Sequence, residues 1–223
     1  FFSALGLAVG LALYSRALRR RGMLEPSVVW VSVAVLIGGV IGARTLLAWD
    51  HLDDLRSLEG LPWIVAIERG GKSLIGAIVG AYVAGWLAKR ALGYTRSTGD
   101  NYALALAVAI VIGRVGCFLS ELPLGVPTTL PWGISVSPEA AASFASCPGC
   151  DQPMHPVMLY EIGFNVLAAL AIIALARRVP VRGDLLKLYL LAAFTFRFAN
   201  EWLRAETPDA LGLTGPQLVL LPL

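Results

Sequence analysis

Three arginines stand inside long apolar stretches of the chain: Arg44, Arg114 and Arg197. A charge in such a setting costs roughly 2.5–3.5 kcal/mol on insertion scales. It persists only where it faces a polar cavity, pairs with an anion, or does both. Arg197, Glu201 and Arg204 are spaced so that they share one helix face and can pair internally. Arg44 and Arg114 have no carboxylate at helical spacing, and both are expected to meet an external anion. The planar fork of arginine suits a phosphodiester, to which it can donate two parallel hydrogen bonds. The centre of this reading is Gly113-Arg114-Val115-Gly116-Cys117-Phe118-Leu119-Ser120-Glu121, which closes one apolar run. The anion expected there is a phospholipid phosphate.

A second group lies at His155-Pro156-Val157-Met158-Leu159-Tyr160-Glu161, where proline marks the first turn of a helix. His155, at the boundary, can cap that helix or accept a proton, because its unperturbed pKa is near neutral. Tyr160 and Glu161 lie about one turn deeper, and Glu161 is either a counter-ion for the arginines or a participant in a reaction. Cys117 lies one turn from Arg114, where a cation would lower a thiol pKa; the alternative is a small buried residue. Cys147-Pro148-Gly149-Cys150 is a CxxC in a polar loop and is expected to close a small disulfide. Zinc would need two further ligands, so neither a metal nor a cofactor is expected.

The elements that must position these residues are membrane helices. The chain is 57% hydrophobic and only 15% charged, against about a quarter charged in a soluble domain. A net charge of +3 gives no case for nucleic acid. Apolar runs are continuous rather than alternating, which argues against a membrane β-barrel. Seven segments stand out, at about 1–18, 27–49, 73–92, 102–119, 156–176, 185–203 and 214–223. A helical span needs about twenty apolar residues, and most of these qualify. Basic residues cluster after the first segment (Arg16, Arg19, Arg20, Arg21), after the third (Lys89, Arg90, Arg96) and between the fifth and sixth (Arg177, Arg178, Arg182, Lys187). The positive-inside rule then puts these loops in the cytoplasm. The N-terminus and the loop 120–155 are outside, and the C-terminus is cytoplasmic. Residues 61–72 read as an interfacial or re-entrant arm between the second and third spans. Gly6 with Gly10, Gly38 with Gly42, and Gly76 with Gly80 have the small-xxx-small spacing that lets helices approach closely. The reading is an all-α membrane protein, one polytopic domain over 1–223.

In order and content these motifs resemble the prolipoprotein diacylglyceryl transferase family. The resemblance rests on Gly113-Arg114-Val115-Gly116, on the His155–Glu161 stretch, and on Arg197-Phe198-Ala199-Asn200-Glu201-Trp202-Leu203-Arg204. Pro208-Asp209, Gly215-Pro216-Gln217-Leu218, Gly42-Ala43-Arg44 and Gly70-Gly71-Lys72-Ser73 also fall at family positions. The resemblance implies a seven-helix enzyme of the bacterial inner membrane that opens sideways to lipid. It implies transfer of a diacylglyceryl group from phosphatidylglycerol to the thiol of a lipobox cysteine in a secreted precursor, with release of glycerol phosphate. Arg114 and Arg197 would be the essential arginines, with Glu201 and Arg204 supporting them.

Several family positions differ here. Ile75 stands where the family has a histidine, Cys117 and Ser120 stand for two asparagines, and Ser3 falls on a tyrosine position. The family glutamate falls on Leu122, one place after Glu121. The expected site is Arg114, Arg197, Glu201 and His155 at the chemistry. Arg44, Glu161, Tyr160, Cys117, Ser120, Arg204, Gly113 and Gly116 bind the substrate. The alternatives are a transferase with a different acceptor and a non-catalytic protein of the same fold that binds or moves anionic lipid.

Overall fold

The computed structural model describes residues 1–50, 74–122, 125–143, 149–176, 178, 183–205, 212–214 and 217. The arm at 61–72, Cys147 and most of the seventh segment lie outside these. The described chain is helical: α1 (Phe2–Arg20), α2 (Pro26–Asp50), α3 (Leu74–Ala91), α4 (Gly99–Leu119), α5 (Pro138–Ala142), α6 (Val157–Leu175) and α7 (Asp184–Asn200). A 3-10 turn, Glu201–Leu203, extends α7. Among the described residues only isolated β-bridges occur, without a strand. Pro26–Thr45, Gly99–Leu119 and Val157–Leu175 are long and apolar enough to cross a membrane. The expected sixth segment ends earlier as α-helix, at Asn200 rather than near 203, because the backbone tightens there into the 3-10 turn.

The chain forms two compact units, one of Phe1–Arg21 with Ser97–Leu223, the other Gly22–Arg96. In the second unit α2 and α3 cross at their glycines. A Cβ on Gly42 would sit 2.1 Å from the Gly76 carbonyl oxygen, and one on Gly80 would sit 2.3 Å from that of Gly38. The backbones therefore touch where the small-xxx-small pattern places them. Also in this unit, Arg96 pairs with Glu25 at 3.2 Å, with both side chains about half exposed.

The first unit is a bundle of α1, α4, α6 and α7. Tyr14 of α1 stacks on Tyr102 of α4, with ring centroids 4.2 Å apart. A buried apolar cluster joins Ala103 and Ala107 of α4, Ile172 of α6, and Leu185 and Tyr189 of α7. At one end Asp100 of α4 accepts from the Gly183 and Leu186 amides at 2.8 and 3.3 Å, and so caps α7 from a neighbouring helix. At mid-height Phe164 of α6 stacks on Phe196 of α7 at 4.4 Å. Beside them Tyr189 donates to Asn165 Oδ1 at 2.7 Å, and Asn165 Nδ2 donates to the Glu161 carbonyl at 2.8 Å. A buried polar pair thus fixes the register of α6 against α7 just below Glu161.

Candidate functional site

At the end where α4 and α7 finish and α6 begins, five charged side chains form one continuous cluster. Arg114 Nε on α4 pairs with Glu161 Oε2 on α6. Arg197 on α7 pairs with Glu201 Oε2 one turn along the same helix. Arg204 joins the two pairs, lying 3.8 Å from Glu161 Oε1 and 3.6 Å from Glu201 Oε2. Both separations exceed hydrogen-bond length, so Arg204 links the pairs by charge. Side-chain exposure runs from 19% at Arg114 down to 1% at Glu201, which shields the cluster from water and strengthens each interaction.

The carboxylates are held from behind. Glu201 Oε1 accepts from Thr214 Oγ1 at 3.1 Å, while the Thr214 amide donates to Gln217 Oε1 at 3.0 Å and Gln217 Nε2 donates to the Phe198 carbonyl at 3.2 Å. Thr214 and Gln217 have the spacing of a capping box, in which the third residue reaches back to the cap amide. That spacing is the sequence signal that could have marked Thr214 and Gln217 as supports of Glu201. Glu161 is steadied through its backbone by Asn165, for which sequence spacing gives no cue beyond a polar residue in an apolar run.

A strap of irregular chain crosses this end. Gly125 bridges to Arg204, Pro127 and Ile134 bridge to Met154, and the Val126 amide donates to the Leu203 carbonyl at 3.0 Å. The His155 amide donates in turn to the Val126 carbonyl at 2.9 Å. The strap thereby ties the end of α7 to the start of α6. Glycine is required at 125, since a Cβ there would lie 2.0 Å from the His155 carbonyl oxygen. Trp132, on the strap, donates from Nε1 to Tyr160 Oη at 2.9 Å, and Tyr160 Oη shares a 3.2 Å hydrogen bond with His155 Nδ1. Sequence reasoning named His155 and Tyr160 and missed Trp132.

The remaining expected residues distribute as follows. Gly116 is buried, and a Cβ there would meet the Phe2 side chain at 2.5 Å, so it serves the α1–α4 contact. A Cβ on Gly113 would meet nothing within 4 Å. Cys117 is a free, half-buried thiol, whereas Cys150 is disulfide-bonded. Ser120 caps the C-terminus of α4. Glu121 adopts a left-handed backbone (φ 48°) and its carboxylate accepts from the Ser137 amide at 2.7 Å, anchoring the start of α5 to the end of α4. The Ser137 hydrogen bonds, side-chain first and backbone second, hold the Glu121 carboxyl below the usual carboxylate range. Arg44 is half-buried on α2, in the second unit. Arg114 has no carboxylate at helical spacing on α4, as expected, but it is not left to an external anion alone: Glu161, one of whose two expected roles was counter-ion to the arginines, reaches it from another helix.

These features define a multi-pass helical membrane protein with a shielded arginine–glutamate centre at one end of its bundle. The family model for prolipoprotein diacylglyceryl transferase matches residues 1–223, and the chain belongs to that family. It is 32% identical over 212 residues to the phosphatidylglycerol–prolipoprotein diacylglyceryl transferase of Frankia alni, covering 93% of this chain and 54% of that protein. The protein of the same name in Gloeobacter violaceus is 34% identical over 211 residues, covering 89% of this chain and 72% of the relative. That of Mycobacteroides abscessus is 28% identical over 203 residues, with 86% of this chain and 59% of the relative covered. The chain thus spans little more than half the length of two of these relatives.

Proposed function

We propose that the protein transfers a diacylglyceryl group from phosphatidylglycerol to a thiol acceptor, the lipobox cysteine of a secreted precursor, and releases glycerol phosphate. The observation that carries this reading is the cluster itself, in which Arg114 and Arg197, from different helices, are joined through Glu161, Arg204 and Glu201. A guanidinium has five N–H donors, so one carboxylate does not exhaust it. Held by their glutamates, the two arginines are preorganised for a phosphodiester between them. In the reaction the thiol gives up its proton, sulfur bonds the glyceryl carbon, and the carbon–oxygen bond to phosphate breaks. Charge builds on the departing phosphate, where fixed guanidinium groups stabilise it without reorganising. His155 takes the thiol proton. In that role Nδ1–H donates to Tyr160 Oη, which Trp132 also holds, and Nε2 is the accepting atom.

The same reading places seven spans in the bacterial inner membrane, with the N-terminus and the cluster on the outer side and the C-terminus in the cytoplasm. It takes 1–223 as one membrane domain, with Cys117, Ser120 and Gly113 lining the lipid path. The test is an assay of the purified protein with labelled phosphatidylglycerol and a lipobox peptide. Release of glycerol phosphate with a thioether on the peptide is expected. The absence of release with any thiol acceptor, under conditions where the Frankia alni relative turns over, overturns the transferase reading. The second reading is then a non-catalytic anionic-lipid binder, favoured by the replacements at Ile75, Cys117 and Ser120.

A further inference from the structure

Asn200, the last residue of α7, is only 4% exposed, and its Nδ2 has no hydrogen-bond partner among the described residues. Native proteins pair nearly all buried polar groups: nearby, the neutral side chains of Asn165, Thr214 and Gln217 are hydrogen-bonded, and the charged atoms of the cluster are engaged by ion pairs. Asn200 continues the α7 face that carries Tyr189, Ala193 and Phe196, at helical spacing. Two contacts bracket it. One turn before it, Phe196 stacks on Phe164; four residues after it, Arg204 reaches Glu161. Asn200 therefore stands, along the chain, between the aromatic stack and the charged residues Glu201 and Arg204, with Arg197 one turn before it.

We propose that Asn200 is a lipid-binding residue, whose side-chain amide donates a hydrogen bond to an oxygen of the anionic lipid held at the cluster. The proposal rests on the reading of that cluster as an anionic-lipid site. A neutral amide complements the arginines: they neutralise the phosphate, and the amide orients the headgroup through one oxygen acceptor. That acceptor is a phosphate oxygen, a glyceryl hydroxyl or an ester carbonyl, which share the same chemistry. A buried donor without a protein partner is costly in the empty site and repaid on binding.

The experiment titrates the full chain, purified in uncharged detergent, with four lipids: dioleoylphosphatidylglycerol, its diether analogue, dioleoylphosphatidylmethanol and dioleoylphosphatidylcholine. Affinity is read by intrinsic tryptophan fluorescence, and lipid-induced stabilisation by the rise in melting temperature. Asn200→Leu keeps the volume and removes the donor. Without lipid it should melt at or above the wild-type temperature, since an unmatched buried donor is gone; with phosphatidylglycerol it should bind roughly ten-fold more weakly. A loss shared by all three anionic lipids assigns the phosphate. A loss spared with the diether assigns the ester carbonyl, and a loss spared with phosphatidylmethanol assigns the hydroxyls. If Asn200→Leu does not fold, Asn200→Asp, which keeps the shape and reverses the hydrogen-bonding role, should show the same loss. Wild-type affinity in the folded variant for every anionic lipid overturns the proposal and leaves the anionic site standing. Equal wild-type affinity for phosphatidylcholine and phosphatidylglycerol overturns the anionic-site reading, and the proposal with it.

Discussion

Glu161 on α6 is the counter-ion of Arg114 on α4, and Arg204 leans on the same carboxylate from 3.8 Å. One acidic side chain therefore fixes two arginines that belong to different parts of the sequence. Glu161→Gln keeps the shape and removes the charge. It leaves Arg114 with a partly buried, uncompensated charge, and unfolding measurements in detergent should show a loss of up to about 3 kcal/mol. Exchanging the pair, Arg114→Glu with Glu161→Arg, should recover much of that stability. It should not recover activity, because the phosphate would then face a carboxylate on α4. Recovery of both would reduce Arg114 to a structural role.

The strap makes a separate prediction. Gly125→Ala drives a methyl group into the His155 carbonyl, 2.0 Å from the ideal Cβ position. The backbone must shift, and the bonds from Val126 to Leu203 and from His155 to Val126 loosen with it. Turnover should fall at least about ten-fold through misplacement of Arg204 and His155. Circular dichroism should stay unchanged, because the helices do not depend on the strap. Unaltered turnover would show that the strap positions nothing of consequence.

The acid limb of stability should carry a contribution from Glu121. Its folded-state pKa is depressed by the Ser137 hydrogen bonds, so its contribution is complete above the unfolded carboxylate value of about 4.3. It is lost as pH falls through the lower folded value. Hydrogen exchange at the Ser137 amide should accelerate below that window in the wild type. In Glu121→Gln the extra acid-dependent step should vanish, and its persistence would assign it to another group.

Tyr189 and Asn165 should act as a pair. Tyr189→Phe leaves Asn165 Oδ1 unmatched in the bundle interior, and a loss of about 1 kcal/mol is expected, the scale of interhelical hydrogen bonds in membrane bundles. Adding Asn165→Leu should remove most of the penalty, since no polar atom then remains unmatched. Additive losses in the double variant would show that the two side chains act independently.

What the sequence revealed followed from how local each contact is. Arg197 and Glu201 are one turn apart, so their pairing is written in the spacing and appears in the structure. The glycine crossings are legible for the same reason, because small residues at four-residue spacing mark a face whatever it meets. That Glu161 can serve the arginines is legible from a carboxylate in an apolar run, but that it meets Arg114 is not, since no periodicity along α4 says which face of α6 it will meet. The strap at Gly125–Ile134 has no period at all and is held by backbone pairing with distant chain. Helix α5 was missed within the loop 120–155, although Ser137 followed by Pro138 and Glu139 is a helix-start signal, and Ser137 does accept from the Ala140 amide at 3.2 Å. Asn200 looked like one polar residue in a motif; its significance lies in burial without a partner, a property only coordinates carry.

The central claim is that Arg114 and Arg197 hold one lipid phosphate together. A structure of the full chain in nanodiscs containing phosphatidylglycerol measures this directly. The account predicts a lipid phosphate within about 3 Å of both guanidinium groups, with Glu161 and Glu201 still behind them. A well-ordered phosphatidylglycerol whose phosphate lies elsewhere, with both arginines engaged only by their glutamates, would contradict it.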